Sequence, residues 1–390
     1  MTTTGGLISV GGAVLPADRD VLVYVFQRGA ADGLNALVPH GDPDYYVQRS
    51  TIAVPQPGLP GGAIDLGGFY GLHPALAPLK PIYDAGTLAL VHATGIPHGS
   101  RSHFAAQGLV ERGVAEPSGP ETGWLGRHLS LLAPASGSAF RAVAISGNVP
   151  VSLLGADDPL ATSSLAEFGF ARDIVAAGYP VLLADLFRSP VPFSGTAQAA
   201  LTAMDELHAA DLGSIQPGNG AVYPDTGLGN KLLQAAQLIK STIPAEVICI
   251  DSEGWDHHES LPNYIQISLA DLAQALSAFH ADLGPLMQRV VVLVHTEFGR
   301  RVAENASLGA DHGTAGLAYV MGGGVVGGQI VSDWPGLAAP DLELGEDLKI
   351  TTDLRTVLAE LVTVRLGGTV SDLDVIFPGF AYAPAGVFLG

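Results

Sequence analysis

The sequence predicts an α/β protein with a central, mostly parallel sheet and helices on both of its faces. Short runs of β-branched and other apolar residues alternate with longer amphipathic segments, which is the pattern of strands connected by helices. Strands that alternate with helices pair in parallel through right-handed crossovers, and these crossovers place the helices on the sheet faces. Polar residues cluster directly after several predicted strands, where an α/β sheet builds its ligand site.

The strands are predicted from short apolar runs bounded by turn-forming residues. They are Val21–Phe26, Leu88–His92, Arg141–Ile145, Ala245–Ile250, Val290–Val294 and Leu317–Met321.

Helices are predicted where apolar residues recur at helical spacing. They are Pro74–Asp84, a helix that opens near Ser102 and continues through Val110, Gly227–Thr242, Tyr264–Leu283 and Asp353–Leu366.

A single domain over residues 1–390 is predicted, because no linker or internal repeat divides the chain. Residues from about 150 to 224 are rich in Ala, Pro and short helical pieces, and they are interpreted as an inserted cap region that faces the substrate.

Composition excludes several classes of protein. The net charge of −20, from 18 basic and 38 acidic residues, disfavours binding to nucleic acid or to an anionic membrane surface. No apolar stretch reaches membrane-spanning length without charges or breakers. The single cysteine, Cys249, lies inside a predicted strand, so a disulfide within the chain is impossible and a buried thiol is expected. The N-terminus lacks the basic segment and cleavage site of a signal peptide, which is typical of a resident protein or of a chain whose leader has been removed.

The most informative stretch is Asp251–Glu259, which places four carboxylates and two adjacent imidazoles directly after a predicted strand. Asp256, His257 and His258 lie at its centre. Oxygen and imidazole donors in this density are typical of a divalent transition-metal site. The alternative is a solvated acidic loop that caps the following helix.

A second polar loop follows the strand at Leu88–His92. It contains Ser100, Arg101, Ser102 and His103 and runs into a helix. Hydroxyls, an imidazole and a guanidinium at a helix N-terminus favour a nucleophile or oxyanion site. The alternative is an ordinary serine cap.

Three further loops contain candidate ligands. Asp32 follows the first buried strand, Glu297 follows the strand at Val290–Val294, and Asp311 and His312 precede the last strand. Because the carboxyl ends of parallel strands share one edge, we expect these loops to converge. Such a donor set suits one or two divalent metal ions that activate a nucleophile. Zinc or manganese is favoured by the mixed imidazole and carboxylate donors, with magnesium and calcium as alternatives.

Other nucleotide and hydrolase motifs do not account for the chain. Gly322–Gly327 fits a G-x-G-x-x-G pattern after a strand, but no helix follows it to receive a pyrophosphate. It is interpreted instead as a glycine-rich turn packed against the site. The sequence contains no G-x-x-x-x-G-K-[ST] loop and no G-x-S-x-G elbow.

Five short motifs together resemble a known family, the bacterial domain of unknown function 1501 family within the alkaline phosphatase and sulfatase-like superfamily. The order and spacing of the motifs match along nearly the whole chain. The motifs are Arg28–Asn35, Ser100–Phe104, Gly254–Glu259, Glu297–Arg300 and Asp311–Gly313.

The resemblance implies an alkaline-phosphatase-like three-layer sandwich with metal sites at the C-terminal edge of the sheet. It implies a serine nucleophile at Ser102, with Ser100 as the alternative. It also implies export from the cell, since family members often carry twin-arginine leaders. The metal ligands it implies are Asp32, Asp256, His258, Glu297 and His312.

The residues themselves leave two choices open among the donors. His257 competes with its neighbour as a ligand, and Asp311 is a further candidate. Arg28, Arg101 and Arg300 are predicted to neutralise an anionic substrate, with Asn35 also in contact with it.

The sequence therefore favours a metal-dependent hydrolase of a phosphate, sulfate or related ester, acting on a small-molecule or saccharide substrate. Two alternatives remain. One is a metal-dependent isomerase, mutase or oxidative enzyme on the same scaffold, suggested by Phe298, where the superfamily commonly has His. The other is an exported binding protein that keeps a structural metal. The oligomeric state is left open.

Overall fold

The computed structural model describes residues 6–169, 174, 178–188 and 193–389. Its main sheet has nine strands in the order β13-β7-β12-β11-β3-β10-β8-β9, with β14 paired to β7. The strands of this sheet are β3 (Val21–Gln27), β7 (Leu88–Gly95), β8 (Ala142–Ala144), β9 (Leu160–Ala161), β10 (Val247–Ser252), β11 (Val290–Thr296), β12 (Gly316–Gly322), β13 (Ile330–Val331) and β14 (Thr352–Asp353).

Eight of the nine strands run in one direction. The strands β8, β10, β3 and β11 pair in parallel, and β9, β13 and β14 pair in parallel with their neighbours. Only β12 is antiparallel, and it lies between β11 and β7. The carboxyl ends of β3, β7, β10 and β11 therefore meet at one edge, together with the residues that precede β12.

The sheet is buried on both faces, and the apolar run of β3 shows why. Val21, Val23 and Val25 belong to one hydrophobic core, while Leu22, Tyr24 and Phe26 belong to a second core on the opposite face. A strand buried on both sides reads as a continuous apolar run, since successive side chains alternate between faces.

Helices cover both faces of this sheet. On one side lie α3 (Lys80–Asp84), α7 (Ser194–Ala210), α8 (Gly227–Lys240) and α9 (Leu261–Leu283), which contribute to the first core. On the other side lie α4 (His103–Arg112), α5 (Trp124–Leu131), α10 (Leu354–Val364) and α11 (Leu373–Ile376), which contribute to the second core. The predicted three-layer α/β sandwich with a mostly parallel sheet is confirmed.

Smaller elements complete the described chain. Two short sheets are formed by β1 (Leu7–Val10) with β2 (Ala13–Pro16), and by β4 (Leu37–Val38), β6 (Gly71–Leu72) and β5 (Ile64–Asp65). The remaining α-helices are α1 (Gly33–Ala36), α2 (Pro43–Gln48) and α6 (Tyr179–Arg188). The described residues also form 3-10 helices at Pro74–Leu79, Val151–Leu153, Leu212–Ser214, Gly284–Arg289, Ala339–Asp341 and Val370–Asp372, the first of which leads directly into α3.

The interpretation of residues 150–224 as an inserted cap stays a prediction. Within this range β9 joins the main sheet beside β8, and α6 and α7 are helical. Residues 170–173, 175–177 and 189–192 of the region lie outside the described residues.

The strand predicted at Leu317–Met321 is present as part of β12. It runs antiparallel to its neighbours, because β12 follows β11 after a connection that contains no helix. Consequently Gly322 lies beside Val291, near the start of β11, at the edge opposite the polar loops. The glycine-rich turn at Gly322–Gly327 therefore does not pack against the site.

Among the described residues, no helix is both long enough and apolar enough to cross a lipid bilayer.

Candidate metal centre

Four side chains from three loops form what we call the His–Asp cluster: His103, Asp256, His258 and His312. His103 is the first residue of α4, Asp256 and His258 follow β10, and His312 precedes β12. Residues on elements far apart in sequence meet here because the ends of neighbouring parallel strands share one edge.

The polar atoms of the cluster converge closely. The Nε2 atoms of His258 and His312 are 2.9 Å apart, and they lie 3.0 and 3.2 Å from Oδ1 of Asp256. Nε2 of His103 lies 3.5 Å from Oδ2 of Asp256. His103, Asp256 and His312 each offer one ligand atom, and these atoms all lie within 4.8 Å of one another. The arrangement is therefore a group that is able to hold a metal ion.

Each imidazole of the cluster is oriented through its other nitrogen. Nδ1 of His103 lies 2.7 Å from Oε1 of Glu297, and Nδ1 of His258 lies 3.1 Å from Oδ1 of Asp311. Nδ1 of His312 lies 2.8 Å from the Arg101 carbonyl oxygen. Because carboxylate and carbonyl oxygens only accept, a proton on Nδ1 satisfies this contact in all three rings. In that tautomer each Nε2 offers a lone pair toward the centre of the cluster.

Asp256 is held as an anion by Arg300. The Arg300 side chain is almost fully buried and donates from Nη2 to Oδ1 of Asp256 at 2.5 Å, while its other donors reach the carbonyls of Gly29, Ala30 and Ala310. Partial burial of Asp256 opposes ionisation, but Arg300 outweighs burial and lowers the pKa of Asp256 to about 2. The carboxylate is therefore charged over the whole physiological pH range.

Gly29 lets the loop after β3 approach the Asp256 backbone. Its φ of +117° is disfavoured for other residues, and a Cβ at this position would lie 2.7 Å from the Asp256 nitrogen. Its own nitrogen donates to Oε1 of Glu297 at 2.9 Å. The motif that begins at Arg28 thus fixes the backbone around the cluster.

Glu297 lies behind His103, and its oxygens are used by protein donors. Oε1 accepts from His103 and from Gln107 at 2.9 Å, and Oε2 accepts from the Thr296 hydroxyl at 2.8 Å. Burial disfavours its charged form, but the hydrogen bonds from Gln107, His103 and Thr296 hold the pKa of Glu297 below its usual range. Glu297, predicted as a ligand, is therefore placed where it orients the His103 ring.

Asp32 lies outside the His–Asp cluster and forms a buried ion pair with Arg49. Nη1 of Arg49 lies 2.9 and 2.8 Å from the two Asp32 oxygens, and neither side chain is more than 1% exposed. Asp32 also accepts from the backbone nitrogen of Asn35, as the N-cap of α1. The Arg49 guanidinium therefore lies beside the Asp32 carboxylate, where the resemblance implies a metal ion.

Asn35 belongs to the same buried network rather than to an open surface. Its Oδ1 accepts from Tyr45 and Arg49, and its Nδ2 donates to the Ile52 carbonyl. Both of its side-chain polar atoms therefore have partners inside the protein, and the side chain is buried, so it is not exposed for the predicted contact with substrate.

The arginines predicted to bind substrate also have carboxylate partners. Arg28 contacts Glu111 at 3.2 Å and Asp251 at 2.9 Å. Burial opposes its charge, but Glu111 and then Asp251 outweigh burial and raise the pKa of Arg28. Arg101 contacts Asp347 at 2.5 Å. With Arg300 bound to Asp256, all three guanidinium groups are neutralised by the protein itself.

Between the two adjacent histidines, His258 is the one that reaches the cluster. The His257 ring is buried, stacks on Tyr264 at a centroid distance of 6.1 Å, and lies 3.5 Å from the Ser268 hydroxyl. Burial lowers the pKa of His257. Asp311 contacts the cluster from outside, because Oδ1 accepts from both His258 and Asn305 at 3.1 Å.

The two candidate nucleophiles differ in their surroundings. Ser102 is the N-cap of α4 and is exposed, and its side chain makes no capping hydrogen bond. Ser100 is half-buried, and its hydroxyl accepts from the Ser102 backbone nitrogen at 3.2 Å. Ser102 is also the direct neighbour of His103. Its hydroxyl is therefore the freer of the two at the helix N-terminus.

Two residues of the site were not predicted. Gln107 lies one helical turn after His103 on α4, and this i, i+4 spacing could have identified it as a neighbour. Arg49 has no such signal, since it lies in the loop after α2 and reaches Asp32 only through the tertiary fold.

The sequence of this chain matches a known protein family. Residues 87–360, more than half of the chain, match the family described as "Protein of unknown function (DUF1501)". The chain belongs to this family. The DUF1501 match includes His103, Asp256, His258 and His312, so the whole His–Asp cluster lies within it. No curated protein matches the chain.

Two solved structures are distantly similar to this DUF1501 protein. The PsFucS1 sulfatase from Pseudoalteromonas sp. is 12% identical, with 95% of this chain and 73% of that chain covered and a TM-score of 0.40. The phosphonoacetate hydrolase from Sinorhizobium meliloti 1021, in complex with phosphonoformate, is 14% identical. The match covers 77% of this chain and 61% of that chain, with a TM-score of 0.32. Similarity at this level does not identify the activity of this chain.

Proposed function

We propose that this protein is a metal-dependent hydrolase of a phosphate, sulfate or related ester. The His–Asp cluster would hold one divalent metal through Nε2 of its three histidines and the Asp256 carboxylate. Imidazole and carboxylate donors in this ratio suit zinc or manganese better than calcium. Ser102 would provide the attacking hydroxyl.

The observation that carries the proposal is the distance of 2.9 Å between Nε2 of His258 and Nε2 of His312. Nδ1 of each ring faces an oxygen that only accepts, which favours the tautomer with the proton on Nδ1. In that tautomer the two Nε2 lone pairs face each other across this gap, and a metal ion bound by both nitrogens would remove their repulsion. An oxygen partner at Nδ1 of all three rings is the usual arrangement behind metal-bound histidines.

The surroundings of the His103 ring also support a metal ion at the cluster. Its Nε2 is buried and makes no hydrogen bond to any described residue, although Nδ1 is held by Glu297. A buried nitrogen with an unused lone pair is unfavourable unless a ligand satisfies it. Asp32, Glu297 and Asp311 are used by Arg49, His103 and His258 respectively, which supports one metal ion rather than two.

The proposed reaction transfers the phosphoryl or sulfuryl group to Ser102 and then to water. A bound divalent metal would act as a Lewis acid on the ester and favour the deprotonated hydroxyl. Oγ of Ser102 attacks phosphorus or sulfur, the bond to the alcohol oxygen breaks, and the alcohol leaves with a proton. Water then attacks the seryl ester and releases phosphate or sulfate. The N-terminus of α4, which Ser102 caps, adds positive potential beside the anion.

The exposure of the cluster favours catalysis over the alternative of a purely structural metal. The Asp256 side chain is 47% exposed and that of His258 is 42% exposed. Structural sites are closed to solvent, whereas catalytic sites keep an approach for water or substrate. The open side of the cluster gives a substrate oxygen that approach.

The test is hydrolysis by the purified protein before and after metal removal. Aryl and alkyl phosphate monoesters, phosphate diesters and sulfate monoesters are assayed with protein depleted by a chelator and then reloaded with zinc or manganese. Turnover of at least one ester class that disappears on depletion and returns on reloading is expected. Absence of turnover for every class, in protein that contains a stoichiometric metal, would contradict the proposal.

Glu297→Gln is expected to weaken metal binding by about 10–100-fold, because the Nδ1 partner of His103 loses its charge while keeping its shape. Competition with a metal-sensitive dye measures the dissociation constant. Glu304→Gln is the matched control, because Glu304 caps a surface loop through Thr51 and Ile52. Equal metal affinity in both variants would show that Glu297 does not act through His103.

A further inference from the structure

The motif Ser100–Phe104 ends in an aromatic residue to which the proposed function assigns no role. Phe104 follows His103 on α4, and its side chain is 93% exposed, the highest value among the exposed large apolar residues of the described chain. A fully hydrated aromatic ring forgoes the apolar burial that normally stabilises phenylalanine. Phe104 directly follows His103 of the cluster and lies two residues after the exposed Ser102.

The charges around the cluster limit what a substrate can carry. The nearby guanidinium groups of Arg28, Arg101 and Arg300 are each bound to protein carboxylates. Arg301, the remaining arginine of this loop, is bound to Glu346 at 2.7 Å. Each of these four guanidinium groups therefore has its charge balanced by a carboxylate of the protein, which weakens its attraction for a second anionic group.

Further carboxylates lie on the loops that provide the cluster. The Asp311 side chain is 50% exposed beside His258. Glu253 and Glu259, on the loop that provides Asp256, are also exposed, and the four arginines above are paired with other carboxylates. Together with the net charge of −20, these carboxylates disfavour a substrate with anionic groups beyond the one held at the cluster.

Combining these observations, we propose that Phe104 is a specificity-determining contact and that the substrate is an ester with an uncharged, aryl or bulky apolar alcohol moiety. This inference rests on the proposed function and narrows its substrate class. The scissile anionic group lies at the His–Asp cluster, and the apolar moiety packs on the Phe104 ring at the start of α4. Nucleoside polyphosphates and sulfated polysaccharides are poor substrates on this account.

Binding of non-hydrolysable phosphonates tests the inference without requiring turnover. Isothermal titration calorimetry with the metal-loaded protein compares phenylphosphonate, methylphosphonate and 4-carboxyphenylphosphonate. Phenylphosphonate is expected to bind about tenfold more tightly than methylphosphonate, since the ring buries apolar surface against Phe104. The added carboxylate is expected to weaken binding by about threefold or more, because it meets acidic residues.

The matched variants are Phe104→Ala and Leu7→Ala. Leu7 is an exposed apolar residue of the N-terminal hairpin, outside the loops of the cluster. In Phe104→Ala the ratio between phenyl- and methylphosphonate is expected to fall to within about twofold, whereas Leu7→Ala keeps the wild-type ratio.

Three results would overturn the inference while leaving the hydrolase proposal in place: equal affinity of the wild type for both simple phosphonates, an unchanged ratio in Phe104→Ala, or tighter binding of the carboxylated ligand. Failure of the metal-loaded protein to bind any phosphonate would instead overturn the proposed function, and this inference with it.

Discussion

Replacing Ser102 with alanine is expected to lower kcat by about 10³-fold or more for any ester that the wild type hydrolyses, while metal content stays unchanged. The hydroxyl is the attacking group in the proposed reaction, and loss of a nucleophile removes a catalytic path that surrounding groups replace only weakly. Ser102 makes no capping hydrogen bond through its side chain, so the substitution removes little that supports α4. Steady-state kinetics and elemental analysis of the same preparation provide the measurement.

Ser100→Ala is the matched control for this prediction. Ser100 is two residues away, half-buried, and accepts a hydrogen bond from the Ser102 nitrogen. Its loss is expected to lower kcat by less than about tenfold, because it affects the position of the loop and not the attacking group. The reverse result, a severe loss in Ser100→Ala and a mild one in Ser102→Ala, would identify Ser100 as the nucleophile. Full activity in both variants would exclude a serine nucleophile from this loop.

The second large effect concerns stability. Asp32→Asn is expected to lower the free energy of unfolding by about 3–5 kcal/mol, because it leaves the fully buried Arg49 guanidinium without its charge partner. The remaining partners of Arg49 are the carbonyls of Val302 and Arg301 and the amide oxygen of Asn35, which do not neutralise a charge. Urea denaturation followed by circular dichroism measures the change.

An exposed ion pair provides the control for Asp32→Asn. Lys80→Met breaks the contact between Lys80 and Asp84, whose side chains are 30% and 54% exposed. This variant is expected to cost less than about 1 kcal/mol, since exposed pairs are screened by water and salt. The Asp32→Asn protein is also expected to keep its full metal content. Loss of metal together with little loss of stability would mean that Asp32 is a ligand.

The sequence was sufficient to predict which loops meet. Asp256, His258 and His312 follow or precede strands of one sheet, and the shared edge of parallel strands brings such residues together whatever their distance in sequence. The antiparallel direction of β12 could not be read from its apolar run, because strand direction depends on the connection and not on the buried residues.

The roles within the site were harder to predict, because they depend on where each side chain points. Glu297 is of a residue type that binds metal ions, but the loop after β11 directs its carboxylate toward His103 and Gln107. Asp32 is also of such a type, but its carboxylate forms an ion pair with Arg49, a contact that no local sequence pattern encodes. The position of a carboxylate within a motif therefore does not by itself show whether it faces the cluster or a partner inside the protein.

Metal content tests most directly whether the His–Asp cluster holds a metal ion. Wild type, His103→Ala, His312→Ala and the control His280→Ala are dialysed against zinc or manganese, freed of unbound ion, and analysed by elemental analysis, with circular dichroism to show that each is folded. About one ion per chain is expected in the wild type and in His280→Ala, with most of it lost in the two cluster variants. A wild type without metal, or cluster variants that retain a full equivalent, would contradict the account.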